Sequence, residues 1–165
     1  MGRKKMEAEP DSCARTIDWM GSSTRFITVQ FPEIKADAER IVERMAVLLF
    51  ERLPASESRR LIRLLPHGED GISEPLNSAG NSTPDTSIGY PDFVERARQS
   101  LGVLNEPMLP ERIETLGREI ADAFLWAIIR EVPPELKSRM AESLPADLRS
   151  RMDLYSDRMD DAKVA

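Results

Sequence analysis

The sequence predicts an all-α protein of two pseudo-symmetric helical half-domains sharing one core, and three observations predict it. The first is an internal repeat: ERLPASESRRLIRLLP at residues 51–66 reappears in register as REVPPELKSRMAESLP at residues 130–145. Pro54 answers to Pro133, Pro66 to Pro145, Leu53 to Val132, Leu61 to Met140 and Leu65 to Leu144, an agreement that points to a duplicated structural unit. The second is composition, in which Leu, Ala, Glu, Arg and Met are plentiful while aromatic residues make up only 5%, a balance that favours helix over strand. The third is periodicity, because apolar residues recur at helical spacing ahead of both copies of the repeat.

The elements follow in order. Residues 1–10 are charged and without periodicity, and are expected as a disordered tail ahead of a first half at residues 11–66. Residues 11–21 begin on an acid suited to capping and end on Gly21, which reads as a short helix with a glycine stop. Residues 22–31 contain Arg25 to Gln30, the β-favouring run of the chain, and a lone strand has nothing to pair with, so an extended loop is expected. Pro32 suits the first turn of a long helix over 33–52, with Ile34, Ile41, Met45, Leu48 and Leu49 on one stripe. The helix stops before Pro54, since proline offers no amide proton and pushes the preceding residue out of the helical region. A short helix over 56–64 follows, closed by Pro66 in the same way. Residues 67–89, rich in Gly, Ser, Asn, Pro and Asp, read as a flexible linker.

The second half, residues 90–160, repeats the plan: a helix over 92–102, a long helix over 110–131, and a short helix over 134–143 between Pro133 and Pro145. Ile113, Leu116, Ile120, Phe124, Ala127 and Ile128 form the stripe of the long helix. A further helix over 146–159 carries Leu148, Met152, Tyr155 and Met159 on one face, before a closing tail at 161–165. Both long helices turn apolar on every side near their ends. Val47 and Phe50 are therefore expected to seal against Leu125, Trp126 and Ile129 at the centre of the fold.

These residues support a resemblance. Two long helices ending in Leu-Pro or Val-Pro, two short charged helices ending in Leu-Pro, and YPDFVERAR at residues 90–98 together resemble the bacterial family called domain of unknown function 2267. The resemblance covers about residues 11–152 and implies an all-helical fold of two similar halves. It implies no activity.

The chemistry-bearing residues are few. Cys13 is the single cysteine and His67 the single histidine, which excludes an intrachain disulfide and a Cys/His zinc site. His67 stands between Pro66 and Gly68 at the mouth of the linker, where a solvated turn histidine is expected rather than a general base. No Gly-x-Ser-x-Gly elbow accompanies a serine, and the glycines of the linker form no phosphate-binding loop. Glu111, Glu114, Glu119 and Asp122 lie along one helix and read as its solvated face. No catalytic residue, metal site or cofactor is expected, and the chain is not read as an enzyme.

A net charge of −6 disfavours nucleic acid as a partner, although Arg59, Arg60 and Arg63 form a local basic cluster on the first short helix. The start lacks the apolar run of a signal peptide, Met6 stands where a myristoylation motif wants Ser or Thr, and no apolar stretch approaches about 18 residues, so neither anchor nor membrane span is expected. The expectation is a cytoplasmic, non-catalytic interaction or scaffold module. Its partner would be a protein, with a second copy of the chain compatible as well, and its candidate contact residues are Leu148, Met152, Tyr155 and Met159 with Arg59, Arg60 and Arg63. The alternative is a small-molecule binder with its site at the seam between Phe50 and Trp126.

Overall fold

A computed structural model of the protein describes residues 16–104 and 108–154, and its regular secondary structure is helical throughout. In chain order these are α1 (Trp19–Gln30), a 3-10 segment (Pro32–Asp37), α2 (Ala38–Arg52), α3 (Ala55–Leu64), a 3-10 turn (Gly68–Gly71), α4 (Glu74–Gly80), α5 (Tyr90–Leu101), α6 (Pro110–Glu131) and α7 (Pro134–Ser143). Residues 146–154 are helical as well. The proline boundaries fall as the sequence predicts: α2 and α6 end one residue before Leu53 and Val132, both of which are extended, with ψ of 152° and 149°.

Three elements differ from expectation, each for a local reason. Residues 22–30 belong to α1 and are not an extended loop. Asp18 caps this helix by accepting from the Gly21 amide at 3.0 Å, so Gly21 lies in its first turn and does not end a helix. The Ser23 and Thr24 hydroxyls donate back to the carbonyls of Trp19 and Met20, at 2.7 and 2.9 Å, and so do not compete with the helix. Trp19, Ser23, Ile27 and Phe31 are buried at a spacing of four, and this packing outweighs the β-favouring run.

The long helix expected over 33–52 is broken. Ile34 leaves helical geometry at φ −113° and ψ 19°, and the regular helix begins at Ala38. The kink lets Ile34 and Ala38 both face inward, at 1% and 0% exposure.

Residues 67–89 are not a bare linker. They carry α4, which packs on α2, and they bury Leu76, Ala79 and Ile88. A few well-spaced apolar anchors suffice because polar groups reach across to the segment. Arg59 Nη1 donates to Asn77 and Asn81 at 3.0 and 3.3 Å, Arg52 Nε donates to the Ile88 carbonyl at 3.2 Å, and Ser73 Oγ donates to Glu43 at 2.5 Å. Gly68, at φ 55°, makes the turn into the segment, a conformation that disfavours a side chain.

One hydrophobic core runs from Trp19 to Met152. Its arrangement corrects the expected seal between the two long helices. α2 and α6 touch only slightly; α1 packs on both α6 and α2, and α5 packs on both α6 and α2. The apolar ends of the long helices are covered by these shorter helices. Phe50 stands edge-on to the Trp19 ring, with centroids 6.0 Å apart, while Val47 is only half-buried. Trp19 also donates its indole N–H to the Leu61 carbonyl at 2.8 Å, which ties α1 to α3.

Candidate functional site

α1 presents its buried stripe to the core and leaves Phe26, one position off that stripe, partly buried against the core on the side that meets α6. Across from it α6 carries Trp126, also half-buried. Phe26, Phe31 and Trp126 line one open groove, with Ala123 on its floor and the carboxylates of Glu119 and Asp122 along it. A second shallow depression on the other side of Phe26 is lined by Val29, which is 73% exposed, and by Arg25 and Arg130. The Arg130 guanidinium lies over the Phe26 ring, 5.2 Å from its centroid.

Next to the groove, Asp122 belongs to a polar cluster that fixes the helical segment 146–154. Tyr90 Oη donates to Asp122 at 2.7 Å, Arg151 reaches the same carboxylate at 3.6 Å, and the Arg151 guanidinium lies 4.2 Å from the Tyr90 ring centroid. The Tyr90 amide donates to Asp147 at 2.9 Å. A Cβ at Gly89 would stand 2.8 Å from the Asp147 carboxylate, so glycine there permits the close approach.

Burial first, and then the Asp122 carboxylate, push the Tyr90 phenol up to about 12, against the opposing charge of Arg151. An unfolded phenol titrates near 10, so as pH rises from about 10 towards 12 the unfolded chain gives up a proton that the folded one keeps. The contribution of Tyr90 is complete below about pH 10 and is lost as pH rises through about 12. Urea midpoints measured across that window should fall, and Tyr90→Phe should flatten the fall; an unchanged slope in the variant would place the titration elsewhere.

A second, larger cleft lies between α1, the start of α2 and residues 65–76, lined among others by Asp18, Lys35, Glu39, Glu43, His67 and Ser73. Its charges are mixed, and Glu43 is held by Ser73. Among the described residues no three His, Cys, Asp or Glu side chains converge as metal ligands.

The residues expected to contact a partner are placed as follows. Leu148 and Met152 face inward and are buried in the core, at 1% and 4% exposure, so this part of the apolar stripe is covered by the fold itself. Tyr155 and Met159 lie outside the described residues, as do Cys13 and the two expected tails. Arg59 pairs with Glu69 at 2.6 Å, Arg63 approaches the same carboxylate at 4.0 Å, and Arg60 approaches Glu135 of α7 at 4.0 Å. The basic cluster thus faces the chain's own acids. Phe50 is fully buried and is not among the residues lining the groove at Trp126, so the expected seam between these two rings is not formed. Phe26 and Phe31 fall in the run whose β-favouring composition predicts a loop, and the sequence carries no signal that brings them to Trp126.

Among the described residues no helix is long and apolar enough to cross a membrane. A family model described as "Uncharacterized conserved protein (DUF2267)" matches residues 29–150, most of the chain and all of α2 to α7. No curated protein and no solved structure matches.

Proposed function

The chain belongs to the DUF2267 family, and from that premise we propose that it is a non-catalytic protein-binding module of the bacterial cytoplasm whose docking surface is the groove between α1 and α6. The observation that carries this reading is the grouping of Phe26, Phe31 and Trp126 along one open groove, with exposed Val29 in the neighbouring depression that shares Phe26. Aromatic side chains in a shallow depression are the residue types that dominate binding energy at protein interfaces, and a carboxylate and arginine rim fits the polar border of such surfaces. The wide opening suits a segment of another chain better than an enclosed small molecule. The groove stands on two helices packed firmly together, so little ordering is needed on binding.

Capture from extract of the native cell, compared between wild type, Trp126→Ala and Arg139→Ala, tests this. Arg139 is a half-exposed residue of α7 whose ion pair is with Glu135 on the same helix. A protein retained by wild type and Arg139→Ala but weakened tenfold or more by Trp126→Ala is expected, since loss of an interface aromatic typically costs about 2 kcal/mol or more. Equal retention by all three would contradict the reading.

A further inference from the structure

We infer that residues 155–165 of this chain lie along the groove between α1 and α6, with Tyr155 and Met159 against its apolar surface, so that a protein partner must displace them to dock. The inference rests on the docking-surface reading above and adds how that surface is regulated. It is carried first by where residue 154 stands. Arg151 reaches the Asp122 carboxylate at 3.6 Å, and Asp122 lines the groove. Leu154 follows within one helical turn and is 41% exposed. Residues 155–165 therefore start out from the edge of the groove. Fully extended, these eleven residues reach about 36 Å, and as a helix about 16 Å, whereas Glu119 to Trp126 spans about 10 Å along α6.

The chemistry of the segment fits the surface. Leu148 and Met152 occupy the buried face of residues 146–154, and the same helical spacing puts Tyr155 and Met159 next on that face. An apolar stripe that runs on beyond the core is unfavourable in water unless apolar surface lies ahead of it. The groove with Phe26, Phe31 and Trp126 is the apolar surface beside Arg151. Charge agrees as well: the segment carries Arg158 and Lys163 among Asp157, Asp160 and Asp161, and the rim carries exposed Glu119 with exposed Arg25 on the far side of Phe26. Asp122, Trp126 and Arg151 each have an interaction beyond those described above, so this part of the groove is already engaged by the chain itself. A tethered segment holds such a site with little affinity of its own, because its effective concentration is on the order of 1 mM. The partner's apparent affinity is reduced by the fraction of chains in which the groove is closed.

Pairs of cysteines in the full chain test the placement. With Cys13→Ser removing the native thiol, Gln30→Cys in the groove and Asp160→Cys in the segment are oxidised at low protein concentration, and Arg139→Cys with Asp160→Cys serves as the control pair. The Gln30 pair should close within one chain at least about tenfold faster than the control pair, since contact raises the local concentration above that of a merely tethered segment. Adding Tyr155→Ser and Met159→Ser should bring the two rates together. Without the cysteines, the same double substitution should raise retention of the partner several-fold in the capture comparison. Equal rates for the two cysteine pairs would overturn the inference, and so would a disulfide that joins two chains instead, which would assign the groove to a second copy. Unchanged retention by the double variant would overturn the displacement. Equal cysteine rates alongside capture that depends on Trp126 would leave the docking surface standing, whereas a closed groove with no captured partner would remove the docking reading and keep the segment in place.

Discussion

Trp19→Ala is expected to lower the stability of the chain by roughly 3–5 kcal/mol, the cost of deleting a fully buried aromatic ring and leaving a cavity. Trp19 has no exposed surface, meets the Phe50 ring edge-on, and satisfies the Leu61 carbonyl through its indole N–H. The substitution therefore removes three things together: apolar burial, an aromatic contact that joins α1 to α2, and the donor to a buried carbonyl of α3. Trp19→Phe keeps most of the ring and loses the hydrogen bond, so its cost should be smaller, about 1–2 kcal/mol. Urea denaturation followed by circular dichroism measures both. Trp19→Ala within about 1 kcal/mol of wild type would mean that α1 is not anchored as described.

Gly117→Leu is the second substitution with a large expected effect. Glycine inside a helix costs about 1 kcal/mol relative to alanine, so its presence in the middle of α6 needs a reason. The reason is the approach of α5. A Cβ at Gly117 would stand 2.6 Å from Arg98 Cγ and 3.4 Å from the Arg98 backbone nitrogen. Arg98 has little freedom to move aside, because its guanidinium is paired with Glu114 of α6 at 2.8 Å and with Glu95 at 3.4 Å. A leucine must separate the two helices that pack most extensively in the fold, at a cost of about 3 kcal/mol. Thermal unfolding should show this as a fall in Tm of roughly 6–12 °C for a chain of this size. A variant as stable as wild type would show that α5 and α6 can part without loss.

The helices whose ends are written in covalent geometry were legible. Pro54, Pro66, Pro133 and Pro145 each stop or separate a helix whatever surrounds them, and α3, α6 and α7 begin and end within a residue of where the sequence places them. What tertiary packing decides was not legible. α1 forms over a run with strand preference because Trp19, Ile27 and Phe31 find cover on α6 and α2, and nothing within residues 22–31 announces those neighbours. α4 forms in a segment with turn composition because Leu76 and Ala79 reach the core and Arg59 binds its asparagines. The kink at Ile34 likewise reflects where the core lies.

The site was hidden for the same reason. Phe26 and Trp126 lie on different helices, and their meeting depends on α1 crossing to α6, a contact that the local sequence of neither specifies. Without α1 over residues 22–30, the apolar end of α6 has no cover in the sequence except α2, and a seal of Val47 and Phe50 against Leu125, Trp126 and Ile129 is what the pattern alone predicts. Leu148 and Met152 show the reverse case: an amphipathic stripe that could have met a partner is used by the fold itself.

A photo-crosslinking amino acid in place of Val29, in the cell that natively makes the chain, tests the groove most directly. Val29 is highly exposed and makes no part of the core, so the replacement leaves the fold intact. The account predicts a discrete crosslinked protein at this position, lost when Trp126→Ala is added and absent when the same amino acid replaces Arg139. Equal crosslinking from positions 29 and 139, or crosslinking from 29 that survives Trp126→Ala, would contradict it.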